Sequence, residues 1–262
     1  MISTVRNRMI ALVVVVIFAL CLATPSFAAP IQLPSAPVKE DRSDIQAALD
    51  RLKPLMDIPV TFRIVKRRET TCMWGEYCLM AYSEVQDGYL LNIGYMMEQM
   101  DLFLASKDIG ACWYGFGKPK EITACDGREF AIMMALGKCK PEKFRKEGAK
   151  IRRKPLGVIC GNVEDPVLAE ALQAAHYAPS ACNSQPWRVV CEGKRLEVYR
   201  TRGIQSRYTE GLTGYMNKID LGIFLCFLEL ALTHAGVVFQ RNLLKEDLTK
   251  EPVPVAVYQL ET

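Results

Sequence analysis

Apolar positions follow a helical period in some stretches of this chain and a strand period in others. Ile45, Ala48, Leu49, Leu52 and Leu55 share one face of a helix over 44–56. Ser43 is placed to cap its start and Pro59 lies beyond its end. Residues 60–65 then read as a strand, and 89–91 as a second, shorter one. A long helix is predicted over 94–108, where Met97, Met100, Leu102, Leu104 and Ala105 form a broad apolar face and Gly110 stands just past the end. The apolar run 130–136, flanked by charge and Gly137, reads as a buried strand. Further along come a helix over 167–176 and a hairpin of 187–190 with 196–199 turning at Glu192-Gly193-Lys194. The most apolar helix spans 220–234 and ends at Gly236, and an alternating strand occupies 253–258.

The two long helices echo each other. Gly94-Tyr95-Met96 precedes Asp101-Leu102 in one, and Gly214-Tyr215-Met216 precedes Asp220-Leu221 in the other. Two readings fit, a chance match and an internal duplication that would relate the two helices by a twofold axis, as in a dimer interface.

The start of the chain has a different pattern. Arg6 and Arg8 precede an unbroken run of apolar and small residues over 10–23, and 24–28 ends small-x-small at Ala28. This is the pattern of an export signal cleaved after Ala28. An uncleaved anchor is the alternative, although the run falls short of the roughly 20 residues a span needs. Pro30, Pro34 and Pro37 make 29–42 a linker or extended arm. Export would place the mature protein in the periplasm, the cell envelope or the medium.

Composition adds bounds. The chain has 262 residues, 50% hydrophobic and 24% charged, an ordinary globular balance. A net charge of +4 does not by itself imply nucleic acid or a membrane surface as partner. Of ten cysteines, nine follow Ala28, none in a CxxC pair, and His176 and His234 are the only histidines. That argues against a zinc site and for thiols packed as small hydrophobes, as at Cys226 within Phe224-Leu225-Cys226-Phe227.

Three segments carry candidate chemistry. Ala178-Pro179-Ser180-Ala181-Cys182-Asn183-Ser184-Gln185-Pro186-Trp187 leaves a helix, forms a polar loop and enters a strand. Read as residues alone, it is either a capped turn or a set of amides and hydroxyls able to bond a planar heteroaromatic ligand. Ile109-Gly110-Ala111-Cys112-Trp113-Tyr114-Gly115-Phe116-Gly117 reads as a loop in which glycine allows backbone to approach a flat ligand closely. Residues 140–154 hold eight basic side chains, among them Lys150, Arg152, Arg153 and Lys154. They form either a solvated basic face or an anion site.

Together these segments resemble the FMN-dependent nitroreductase family. The first is similar to the family's Ala-Pro-Ser helix end followed by Asn-x-Gln-Pro-Trp. The second is similar to its Gly-x-Gly-x-Cys-Trp-x-Gly loop, and 150–156 to its Arg-Lys-Pro-Leu element. The resemblance covers the chain from Val60 to the C-terminus. It implies flavin contacts at Pro179, Ser180, Ala181, Asn183 and Gln185, ring contacts at Gly115 and Phe116, and phosphate binding by Arg153 with Arg152 and Lys150.

In the family the Pro-Ser loop comes from the opposite subunit. One chain holding all three segments therefore resembles the fused, pseudo-dimeric type. The implied fold is α+β, with a first half over 43–162 and a second over 163–262, and the implied state is a monomer. The implied activity is reduction of nitroaromatic, quinone-like or related electron-poor compounds with NAD(P)H. No side chain has the signature of an acid or base catalyst. One family element is absent: residues 27–38 read Phe-Ala-Ala-Pro-Ile-Gln-Leu-Pro-Ser-Ala-Pro-Val where an Arg-Arg-Ser-x-Arg arm would grip the phosphate. A flavin-binding homologue without turnover and an exported basic binding module remain the alternatives.

Overall fold

The computed structural model describes residues 42–138, 152–201, 210–247 and 249–261. The leader at 1–28, the arm up to residue 41, Lys150 and the basic run as far as 151 lie outside them. The described residues fall into two compact units, one within 18–149 and one within 150–262. Among them, no helix is long and apolar enough to cross a membrane.

The first unit contains α1 (Arg42–Leu49), β1 (Val60–Lys66), β2 (Tyr77–Ser83), α2 (Tyr89–Ser106), β3 (Ile109–Tyr114), the short β4 (Ala124–Cys125) and β5 (Arg128–Lys138). All pairings are antiparallel, in the order β1-β2-β5-β3, with β4 also on β5. Helix α1 stops well short of Met56 because Pro54 lacks an amide hydrogen and its ring obstructs the preceding turn. The amides of Leu55 and Met56 bond instead to Asn92 Oδ1, at 2.7 and 3.1 Å, on a fully buried side chain of α2.

Residues 89–91 are the first turn of α2, not a strand. Gly88 caps the helix in a left-handed conformation, φ +84°, and Asn92 N bonds back to Gly88 O at 2.9 Å. Leu90, Ile93, Met97 and Met100 continue one buried helical face through that turn. Asp108, φ +55°, rather than Gly110, takes the left-handed position past the helix. Residues 109–114 then form a strand, not a loop, with Gly110 opposite Gly137 on β5.

The second unit contains α3 (Leu156–Cys160), α4 (Pro166–Ala175), β6 (Trp187–Glu192), β7 (Arg195–Arg200), α5 (Glu210–His234), β8 (Val238–Leu243) and β9 (Val253–Glu261). Its strands are antiparallel in the order β6-β7-β9-β8. Asp165 caps α4 by accepting from Val167 N and Leu168 N at 2.8 and 3.1 Å, with Pro166 in the first turn. Helix α5 begins well before Asp220. It ends as expected at Gly236, φ +74°, where Val237 N bonds Leu232 O and Gly236 N bonds Thr233 O. Residues 221–229 are buried without a break, the state of a helix apolar all round.

The two units share a plan of helix, two antiparallel strands, long helix and two further sheet strands of which the last is central, with the short β4 added in the first unit and the short α3 in the second. They also share an irregularity. The β2–β5 register shifts after Ala81, stepping over Ala131, and the β7–β9 register shifts after Val198, stepping over Val255. In each unit the extra residue lies near the start of the last strand, opposite the end of the second. A bulge at matching places is a feature of the fold rather than of one sequence. In β9 it also accommodates Pro254, which has no amide hydrogen to give to a ladder.

Candidate functional site

Two predicted segments of the second unit meet. The loop between α4 and β6 runs through 179–186, and its backbone is unusual. Cys182, Asn183 and Gln185 have φ of +51°, +54° and +46°. Asparagine tolerates this region, whereas cysteine and glutamine rarely enter it. Such conformations persist only where surrounding bonds fix them, and they cluster at functional sites.

Here the bonds are visible. Asp220 on α5 accepts from Ala181 N at 2.9 Å and from the Ser184 hydroxyl at 3.3 Å. Ser180 Oγ accepts from Gln185 N at 3.0 Å. Arg153 donates to Asn183 Oδ1 at 3.2 Å and to Tyr177 O at 2.9 Å, while Asn183 Nδ2 donates to Arg152 O at 3.0 Å. Gln185 Oε1 accepts from Lys154 N at 2.8 Å, and Lys154 Nζ donates to Ser184 O at 2.7 Å. The side-chain amides of Asn183 and Gln185 thus bond the chain itself and set the loop's shape. Pro179, Ser180 and Ala181 are half-buried, and Asn183 is exposed.

Cations gather around this loop. Burial lowers the Lys154 pKa, and the charge of Arg188 lowers it further. Burial also lowers the His176 pKa, a bond to the Lys154 carbonyl opposes that shift, and the Arg153 charge adds to it. The neutral imidazole therefore donates from Nε2 to Lys154 O, 2.6 Å away. Arg188 Nη1 donates to Gln185 O at 3.3 Å. Among the described residues, no salt bridge involves Arg152, Lys154 or Arg188. Arg152 is exposed.

The one carboxyl in the network is Asp220, whose pKa burial pushes up to about 8 against the bonds from Ala181 and Ser184. As pH rises from the ordinary aspartate value toward 8, the unfolded chain has released this proton and the folded chain keeps it. Stability therefore falls across that window. Asp220→Asn preserves the acceptor for Ala181 N and cannot ionise. Urea midpoints at about pH 5 and about pH 8 should show the variant gaining on the parent as pH rises. An unchanged pH dependence would contradict a proton held on Asp220.

The other predicted segment belongs to the first unit. Gly115 and Phe116 occupy a β-turn closed by Gly117 N bonding Tyr114 O at 3.1 Å. Phe116 is 72% exposed, unusual for a phenylalanine. Gly117 is needed, since a Cβ there would lie 2.6 Å from Met133 Sδ and from the Tyr114 ring. Tyr114 packs edge-on against Trp74, centroids 5.2 Å apart. Trp113 Nε1 donates to Asp101 at 3.0 Å, and burial raises the Asp101 pKa to about 7. A cavity of about 240 Å³ between Val65, Arg68, Met80 and Ile122 contains none of the predicted site residues. It is also below the usual size of a ligand pocket, about 300–1,000 Å³.

Asp220, His176 and Arg188 join the site without having been singled out for it from the sequence, and Lys154 was read only as part of the basic run. The available signal was a carboxylate inside an otherwise apolar helix, visible in Ile219-Asp220-Leu221.

Comparison with known proteins agrees with this architecture. No curated protein matches the chain. A crystal structure described as a putative nitroreductase from Thermotoga maritima MSB8 superposes with a TM-score of 0.62 at 18% identity, covering 94% of each chain. That likeness shows the fold. A nitroreductase family protein from Clostridium novyi NT aligns over 45% of this chain and 82% of its own, at 14% identity and a TM-score of 0.33. The family model described as "Putative TM nitroreductase" matches residues 37–232, well over half of the sequence. With an α+β fold of this type and that match, the chain belongs to the TM nitroreductase family, a family of oxidoreductases.

Proposed function

We propose that this protein is an FMN-dependent oxidoreductase that reduces nitroaromatic, quinone-like or related electron-poor compounds with electrons from NAD(P)H. The observation that carries the reading is the cationic cluster around the strained 179–186 loop, where, among the described residues, no salt bridge involves Arg152, Lys154 or Arg188. Positive charge gathered beside a fixed loop suits a phosphate-bearing ligand. The donor set fits the rest of FMN as well. The half-buried Pro179, Ser180 and Ala181 offer a partly open surface against which a ring edge would lie.

Bound FMN would supply the electron transfer from NAD(P)H to the acceptor. Arg152 and Lys150 would meet the phosphate, Arg153 would fix Asn183 and hence the loop, and Asp220 would anchor it from α5. The decisive experiment is purification of the full-length protein with excess FMN. Flavin absorbance retained through gel filtration, together with NADH or NADPH oxidation that depends on a nitroaromatic or quinone acceptor, is the expected result. A protein that stays colourless after FMN addition would refute the reading.

One chain is proposed to suffice for one flavin, since all three segments lie in it and its two units repeat one strand order. Light scattering and flavin titration on the same sample should give one FMN per monomer. Binding only by a dimer would overturn this. Export is proposed from the Arg6/Arg8 start and the apolar run over 10–23. Protein isolated from its native host should begin at or near Ala29, and an intact Met1 in a soluble cytosolic fraction would refute export.

A further inference from the structure

The connection between β1 and β2 brings two cysteines to one hydroxyl. Thr70 Oγ1 accepts from Cys72 N at 3.1 Å and lies 3.4 Å from Cys78 Sγ. Both thiols are buried in one cluster with Val65, Met80, Tyr82 and Cys125. Around Cys72 the segment 71–75 has no regular structure, and the neighbouring Met73 is 67% exposed. Cys78 by contrast is fixed in β2, opposite Val65 of β1.

The two thiols differ in acidity. A hydrogen bond from Cys78 draws the Cys72 thiol down to about 7 against the effect of burial, with main-chain groups at Trp74 and Met73 and the Arg67 charge in support. Cys78 is pushed up by the same interaction and by burial. Of the neighbouring cysteines, Cys112 is a poorer nucleophile than Cys72 at neutral pH. Burial and then the charges of Asp101 and Cys72 push Cys112 up to about 11. Cys125 Sγ bonds Asp126 Oδ2 at 3.6 Å.

We propose that Cys72 and Cys78 form an intrachain disulfide by exchange with a low-molecular-weight disulfide. The Cys72 thiolate attacks one sulfur of that disulfide, and its S–S bond breaks to release the first thiolate. Cys78 then passes its proton to the released thiolate and attacks Cys72 Sγ, expelling the second thiolate, which takes a proton from water. The protein is oxidised by two electrons and the small disulfide is reduced to two thiols. The new bond ties the irregular segment to β2. That segment also holds the 114–118 turn region, since Thr71 N bonds Lys118 O at 2.9 Å and Trp74 packs on Tyr114.

Full-length protein equilibrated with increasing oxidised glutathione, alkylated and mapped by mass spectrometry tests this. A peptide cross-linked between Cys72 and Cys78, with Cys112 and Cys125 alkylated, is expected. Cys72→Ser should abolish it, and Cys112→Ser should leave it. On the parent protein, Cys72 alkylation should reach half its maximal rate at a lower pH than an ordinary thiol. Both thiols remaining reduced at the highest glutathione disulfide, or pairing of either with a different cysteine, would overturn the proposal.

Discussion

Phe224→Ala is expected to destabilise the protein by about 3–5 kcal/mol, the usual loss on truncating a buried aromatic. Phe224 is fully buried on α5, and its ring stacks on Trp187 of β6 with centroids 4.9 Å apart and planes 13° from parallel. Trp187 is itself fully buried. Alanine would therefore remove both the apolar area of the ring and the face on which the indole rests. The cavity would lie between the helix and the sheet it covers, where neither element has room to collapse without shifting its register or rise. Phe224→Leu should recover more than half of the loss, because it restores most of the volume without the stacking. Urea unfolding followed by tryptophan emission reads the effect at the contact, since Trp187 is one of three tryptophans in the chain. A loss below about 1 kcal/mol would mean that the α5–β6 packing is not as described.

The fold was legible in the sequence wherever a boundary had its own chemistry. Asp165-Pro166 and Gly236 mark the ends of α4 and α5 through local hydrogen bonds, and both ends lie where their residues place them. The hairpin of β6 and β7 was legible because its apolar positions alternate around Gly193. Elsewhere the competing signal was misjudged. Pro54 lies inside an otherwise helical apolar spacing and ends α1 early. Tyr89-Leu90-Leu91 is apolar enough for a strand, but the left-handed Gly88 before it starts a helix. Residues 109–114 were weighed by their glycine, whereas Ile109, Ala111, Cys112, Trp113 and Tyr114 supply the strand that pairs with β5. β2 escaped notice because Tyr77–Ser83 is buried almost throughout and so has no alternation to detect.

The candidate site was legible as segments but not as a network. Arg153, Asn183 and Gln185 were singled out, and the structure joins them. The Arg153–Asn183 bond spans 30 residues of sequence and those from Lys154 to Ser184 and Gln185 span 30 and 31, whereas the Gln185–Asn183 bond is local. Asp220 reaches back 39 positions to Ala181. No local period encodes such pairings. What the sequence does carry is a conflict, an aspartate within the most apolar helix, and a buried charge-bearing group needs a partner or a raised pKa. Asp220 has both, two donors from the loop and a pKa near 8. Asp101 repeats the pattern in α2, where Trp113 is the donor.

Arg153→Ala is expected to weaken the binding of FMN and of riboflavin alike, by about 1.5–3 kcal/mol, or roughly ten- to a hundredfold. Its guanidinium donates to Asn183 Oδ1, to Arg152 O and to Tyr177 O. Those bonds hold a loop with three non-glycine residues at positive φ. Without them the loop can relax toward ordinary backbone conformations, and the surface offered to a flavin ring changes whether or not a phosphate is attached. Arg152 differs because it is exposed and only its carbonyl is used by the loop. Arg152→Ala should weaken FMN by a similar amount, about 1.5–3 kcal/mol, and leave riboflavin nearly unchanged. Quenching of flavin fluorescence on titration measures all four affinities, and unfolding midpoints show whether either variant is damaged as a whole. A loss confined to FMN in Arg153→Ala would mean that its guanidinium leaves Asn183 and binds the phosphate directly. Equal losses for both ligands in Arg152→Ala would remove Arg152 from the phosphate and assign it to the shape of the loop.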